Sequence, residues 1–148
     1  MGTDDLFKKR REERKKRKYE YRQANTNSFL IVTEGEKTEP LYFKGIQKKI
    51  KKKMNGRIDI VEAPVIDIYG KGCGTGKLIE TTEQLVKDSK VLYQNVWIVF
   101  DKDDFEDFDE AIRLGKEKGY QIAWSNQSFE YWLYLHFNYG DTALHRDN

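Results

Sequence analysis

The stretch Val96-Trp97-Ile98-Val99-Phe100-Asp101-Lys102-Asp103 decides the fold. Its first five residues are all β-branched or aromatic with no polar alternation, which reads as a strand buried on both faces. The run stops abruptly at Asp101. Upstream, Phe29-Leu30-Ile31-Val32 is a second apolar run of the same kind, ending at Thr33-Glu34-Gly35. Between and after these runs the periodicity turns helical. Leu41, Phe43, Ile46, Lys49 and Ile50 stand roughly at helical spacing after Pro40, whose missing N–H matters least in a first turn. Lys77 to about Val91 reads as a second helix with Leu78, Ile79, Thr82, Leu85 and Val86 on one side. A third runs from about Phe108 to Lys118, with Ala111, Ile112 and Leu114 inward and Gly119 as its stop.

Two further strands complete the pattern. Ile58-Asp59-Ile60-Val61 and Val65-Ile66-Asp67-Ile68-Tyr69 read as one strand bent around Pro64, and Tyr120-Gln121-Ile122-Ala123-Trp124 as another. Phe129 to Phe137 reads as a last helix carrying Phe129, Trp132, Leu133, His136 and Phe137 on one face, with His136 a core histidine. Strands separated by helices of these lengths imply right-handed βαβ crossovers. The expected body is an α/β domain: about four strands in a mostly parallel sheet, with helices on both faces.

A length of 148 residues fits one domain. With 14% aromatic residues the chain is too rich in core formers to be disordered throughout. Its single cysteine, Cys73, excludes an internal disulfide framework and a four-cysteine zinc site. No apolar run reaches the ~18 residues of a membrane span, and no apolar stretch follows the N-terminal charges as in a secretory signal. The expectation is a cytoplasmic protein with no membrane association. The net charge of +2 hides an asymmetry: residues 1–18 carry nine Lys/Arg against four Asp/Glu, and the rest carries 18 against 21. Residues 1–26 read as a basic arm and linker, helical or disordered, and 27–148 as the domain. The last helix is so apolar that a partner subunit, or chain continuing past Asn148, is expected to cover it.

Ligands of open parallel α/β sheets bind beyond the carboxyl ends of the strands, and acids gather there. Glu34 ends the first apolar strand, with Glu36 and Glu39 following. Asp101, Asp103 and Asp104 end the central strand, and Glu130 opens the helix after Ser125-Asn126-Gln127-Ser128. Carboxylates held together repel unless a cation lies between them. Oxygen donors of this type suit Mg²⁺ or Mn²⁺, and such a site suits phosphodiester chemistry. Each piece also has a bland account: a turn at Glu34-Gly35, a helix cap at Asp103 or Asp104, and a helix-dipole effect at Glu130. Their recurrence at successive strand ends is what favours a site.

These residues carry a family resemblance. Ile31-Val32-Thr33-Glu34-Gly35-Glu36-Lys37-Thr38-Glu39, followed by Trp97-Ile98-Val99-Phe100-Asp101-Lys102-Asp103, resembles the Toprim domain of topoisomerases, primases and OLD-type nucleases. With Ala123-Trp124-Ser125-Asn126 and Phe129-Glu130 before Trp132-Leu133 and His136-Phe137, the chain most resembles the RloB (AbiLii-like) family of bacterial defence-associated proteins. The resemblance covers roughly residues 27–138. It implies a Toprim fold and a metal-dependent nuclease acting on DNA or RNA, in a system that can include an ATPase partner. Glu34 is implied as metal ligand or general acid/base, Asp101 and Asp103 as metal ligands, and Glu39 and Glu130 as the further acids of the site. Family members typically run several tens of residues further, so this chain looks short.

Gly70-Lys71-Gly72-Cys73-Gly74-Thr75-Gly76-Lys77-Leu78 is glycine-rich but not a nucleotide loop. Lys71 stands where the Walker pattern needs its first Gly, and Leu78 replaces the Ser/Thr that would hold Mg²⁺. It reads as a flexible loop whose Lys71 or Lys77 can face a phosphate backbone. Lys37 and Lys102 complete the lysines expected at nucleic acid. Ser125, Asn126 and Ser128 read as caps of the last helix. The basic arm suits backbone neutralisation. The alternative function is a non-catalytic adaptor that holds nucleic acid or an ATPase, docking through the aromatic last helix, which would also serve a homo-oligomer.

Overall fold

The computed structural model describes residues 23–24, 28–54, 65–102 and 107–138. The basic arm, the expected strand segment 58–61, Asp103 and Asp104 lie outside the described residues. In chain order the elements are β1 (Gln23–Ala24), β2 (Ser28–Thr33), α1 (Thr38–Met54), β3 (Val65–Gly70) and α2 (Thr75–Asp88). After them come β4 (Val91–Leu92), β5 (Asn95–Lys102), α3 (Phe108–Glu117), β6 (Gln121–Asn126) and α4 (Phe129–Tyr134).

The sheet has four strands in the order β3-β2-β5-β6, and every pairing is parallel. This is the expected Toprim-like α/β architecture. Parallel pairing follows from the helical connections, because each strand must return to the same end of the sheet before the next begins. β2 leaves through α1 toward one edge, and β5 leaves through α3 toward the other. Right-handed crossovers in opposite directions put α1 on one face and α2 and α3 on the other. α2 packs on α3, and α1 meets α4. Neighbouring strands β2 and β5 therefore send their chains to opposite faces, which opens a crevice at their carboxyl ends.

The main core fills the space between the sheet and α2/α3. Leu30 and Val32 of β2 and Val96, Ile98 and Phe100 of β5 meet Leu78, Ile79 and Ala111, all buried. Even-numbered β5 residues thus face this core, and odd-numbered ones face α1 and α4. On that second face Tyr42, Phe43, Phe129 and Trp132 form an edge-to-face and tilted ring cluster, with centroids 5.2–6.2 Å apart. Buried Ser28 ties the start of β2 to the β4–β5 turn: its hydroxyl donates to the Leu92 carbonyl at 2.8 Å and accepts from Gln94 N–H at 3.0 Å.

Several details differ from expectation. Gln23 and Ala24, read as linker, pair in parallel with Val91 and Leu92, and the helix expected to reach about Val91 stops at Asp88. Two-residue strands carry no periodicity by which a sequence reveals them. α1 begins at Thr38, so Glu39 lies on the helix; of the apolar residues expected to face inward from it, Leu41 is 68% exposed and Ile46 is exposed as well. α4 spans only Phe129–Tyr134, and His136 is exposed rather than buried. His136 Nδ1 lies 2.9 Å from the Trp132 carbonyl oxygen, and its ring packs edge-on to the Trp132 ring.

Candidate active site

Two backbone ladders fix the turn that follows β2. Glu34 N–H donates to the Val99 carbonyl at 2.9 Å, extending the β2–β5 pairing by one residue. From the other side, Lys71 N–H donates to the Thr33 carbonyl at 3.1 Å and Gly72 N–H to the Glu34 carbonyl at 2.8 Å. The fully buried Thr33 hydroxyl donates to the Gly35 carbonyl at 2.7 Å and closes the turn. The glycine-rich segment is thus a brace laid along Thr33-Glu34-Gly35. Gly70 approaches so closely that a Cβ there would lie 2.6 Å from the Gly35 carbonyl oxygen and 2.8 Å from Glu36 Cα. Gly72, at φ +57°, would bring a Cβ within 2.5 Å of Glu36 Oε1. These glycines are needed for close approach, a role spacing alone did not reveal.

Three segments distant in sequence bring five acids to one cleft of about 560 Å³. Glu34, Glu36, Lys37, Glu39, Gly72, Cys73, Asp101 and Glu130 are among its lining residues. Asp101 N–H donates to Glu34 Oε2 at 3.3 Å. β6 runs two residues past its expected end, to Asn126, so Ser125 pairs with Asp101 across the ladder. The Ser125 hydroxyl donates to Asp101 Oδ1. Ser125 therefore orients the carboxylate instead of capping α4. Capping falls to Ser128, whose Oγ accepts from Tyr131 N–H at 3.1 Å. Gln127, between these two serines, takes a left-handed φ of 77°, which lets the chain turn from β6 into α4.

Glu39, in the first turn of α1, is only 7% exposed. Burial pushes its carboxyl pKa up, and the charges of Asp101 and Glu130 push the same way, against backbone hydrogen bonds of Glu39 and Gly35. A carboxyl raised in the fold stabilises it only while protonated, so its contribution is lost as pH rises through the folded value. In chelator, Glu39→Gln is therefore expected to raise the melting temperature at pH ~8 and leave it nearly unchanged at pH ~4. Thermal denaturation at the two pH values checks this; equal shifts at both would contradict it.

The sequence-expected residues divide clearly. Glu34, Glu39, Asp101, Glu130 and Lys37 line the cleft. Asp103 lies outside the described residues, and among those described no three acids stand close enough to form a ready-made metal-binding group. Lys102, on the opposite face of β5 from Asp101, lies over the rings of Phe108 and Trp124 at 5.8 and 5.7 Å. Lys71 lies over the Tyr69 ring at 5.6 Å, and Lys77 is exposed in the first turn of α2. Asp107 serves α2 from outside, its Oδ2 accepting from Gly76 N–H at 3.2 Å. No helix among the described residues is long and apolar enough to cross a membrane.

The parallel four-stranded sheet with helices on both faces is a Toprim-like α/β architecture. The family model of the RloB-like proteins matches residues 29–148, and the chain belongs to that family. No curated protein and no solved structure matches it.

Proposed function

We propose that this chain is a divalent-metal-dependent nuclease hydrolysing phosphodiester bonds of DNA or RNA. The observation that carries the reading is the meeting of Glu34, Glu39, Asp101 and Glu130 in one cleft at the β2/β5 switch point. The donor set is all carboxylate oxygen, the chemistry that Mg²⁺ and Mn²⁺ prefer over softer metals. Glu34, Asp101 and Asp103 would hold the ion, with Glu39 and Glu130 completing the set. When bound, it would supply charge stabilisation at the phosphoryl oxygens and a more acidic water.

The chain's own residues prepare the rest. The Ser125 hydroxyl donates to Asp101 Oδ1, and the Asp101 N–H donates to Glu34 Oε2. Glu39, with its raised pKa, is suited to carry a proton nearer neutrality than an ordinary carboxyl. Lys37 offers a counter-charge to the substrate backbone at the cleft. Family membership supports extending the proposal to bacterial antiphage defence in the cytoplasm.

The test is incubation of the full chain with mixed DNA and RNA, with Mn²⁺ and with chelator. Cleavage only in the presence of the ion is expected; equal turnover in chelator would sink the reading. A second reading, a non-catalytic adaptor for nucleic acid, an ATPase or a second copy, draws support from exposed Trp132, Tyr134, Leu135 and Phe137 (85% exposed). Such an adaptor would bind without turnover, and divalent ions would leave its melting temperature unchanged.

A further inference from the structure

α1 is charged in an unusual way. After Glu39, which is turned into the cleft, it carries Lys44, Lys48, Lys49, Lys51, Lys52 and Lys53 and no further acid. All six lysines are exposed. Lys44, Lys48 and Lys52 recur every four residues with Lys51 beside them, a single stripe on the side away from Phe43, Gln47, Ile50 and Met54. On α2 and α3 most basic residues stand beside acids, Lys77 and Lys116 being without an ion pair among the described residues. There Lys87 pairs with Glu83, Lys118 with Glu83, and Arg113 with Glu110 and Glu117. Among the described residues no α1 lysine has such a partner. Lysines in a last turn favour the helix dipole, which accounts for Lys51, Lys52 and Lys53 but not for Lys44 or Lys48.

The stripe also has a direction. α1 begins at the cleft, with Lys37 and Glu39 among its lining. At about 1.5 Å per residue, the lysines extend to roughly 20 Å from Glu39, in a line away from the acids. Repulsion at the acidic cleft must be offset by cations nearby if a polyanion is to approach it. We propose that the outward face of α1, through Lys44, Lys48, Lys51 and Lys52, is the track that holds the phosphodiester backbone of a nucleic acid as it leads into the cleft. The inference rests on the nuclease reading for its substrate class and stands apart from it in its test.

The experiment compares the parent chain, the quadruple variant Lys44→Gln/Lys48→Gln/Lys51→Gln/Lys52→Gln, and Lys87→Gln. Fluorescence anisotropy in chelator measures binding of short single-stranded DNA, single-stranded RNA and duplex DNA from about 50 to 200 mM salt. Glutamine keeps helix propensity close to that of lysine, so an unchanged melting temperature certifies the fold. The quadruple variant is expected to bind at least ~10-fold more weakly at the lowest salt. Its log K against log[salt] slope for single strands should be shallower by about 3, from roughly 0.7 per lost phosphate contact. The basic arm contributes equally to both chains, so the difference isolates α1. Lys87→Gln, at an exposed lysine that pairs with Glu83 on α2, should bind with the parent's slope. An unchanged slope in the quadruple variant, or no binding by the parent, overturns the track. So does parent binding to phosphatidylserine vesicles, measured by co-sedimentation, that the quadruple variant loses while keeping the parent's nucleic-acid slope, which would make the face a membrane contact. Binding that follows the track without any Mn²⁺-dependent cleavage overturns the nuclease reading alone.

Discussion

Asp101→Asn is expected to lower Mn²⁺-dependent cleavage at least ~100-fold, the scale of losing one group that stabilises charge in a transition state. The change is nearly isosteric and sits at the open end of β5, outside the core formed by Val96, Ile98 and Phe100. Asparagine keeps an oxygen that can accept from the Ser125 hydroxyl, so the β5–β6 contact survives. What disappears is one negative charge beside Glu34 and Glu39. Without a cation that charge is a source of repulsion, since it helps to raise the Glu39 pKa. The variant should therefore melt no lower than the parent in chelator while losing its activity. Cleavage assays beside thermal denaturation read both. A variant that cuts as fast as the parent would remove Asp101 from the chemistry.

Gly70→Ala is expected to damage the site from behind. Its new methyl group would lie 2.6 Å from the Gly35 carbonyl oxygen, 2.7 Å from Pro40 Cγ and 2.8 Å from Glu36 Cα. Two of those three are backbone atoms of the turn that carries Glu34, and they cannot swing aside as a side chain does. Forcing in a methyl group costs about 1–3 kcal/mol, occasionally more. The displacement also moves Glu34 away from Asp101 N–H. Urea denaturation should show a lower midpoint with an unchanged slope, and cleavage should fall further than the loss of folded protein explains. Gly45→Ala is the control: a Cβ there meets nothing within 4 Å in the middle of α1. Replacing a helix-interior glycine by alanine should stabilise by about 0.5–1 kcal/mol. Equal effects at the two positions would contradict the bracing role of Gly70.

Much of the fold was legible because burial leaves a mark on sequence. Val96 to Phe100 is uniformly apolar because β5 lies in the middle of the sheet, paired on both sides. Leu78, Ile79 and Thr82 repeat at helical spacing because one side of α2 meets the core, and all three are buried. Glu34 and Asp101 stood out because each closes an apolar run, Glu34 just after β2 and Asp101 one residue before the end of β5. Strand order was not legible, since β3-β2-β5-β6 depends on the direction of each crossover and not on local pattern. Ser125 was misjudged because its role is set by register against Asp101, 24 residues away. Leu41 carried an apolar signal with no burial behind it. The glycine segment has the look of a mobile loop, yet its close contacts with Gly35 and Glu36 make it a brace. Nothing in the local pattern singled out the lysines of α1, whose exposure along one helix that starts at the cleft appears only in the fold.

The central claim is that the cleft at the ends of β2 and β5 takes a divalent cation on carboxylate oxygens. Anomalous scattering from crystals soaked in Mn²⁺ tests it directly. The account predicts a single strong peak, or a close pair, bounded by Glu34 and Asp101, together with Asp103, and absent in Asp101→Asn crystals. Well-ordered crystals of the parent protein with an empty cleft, or with manganese bound only elsewhere, would contradict it.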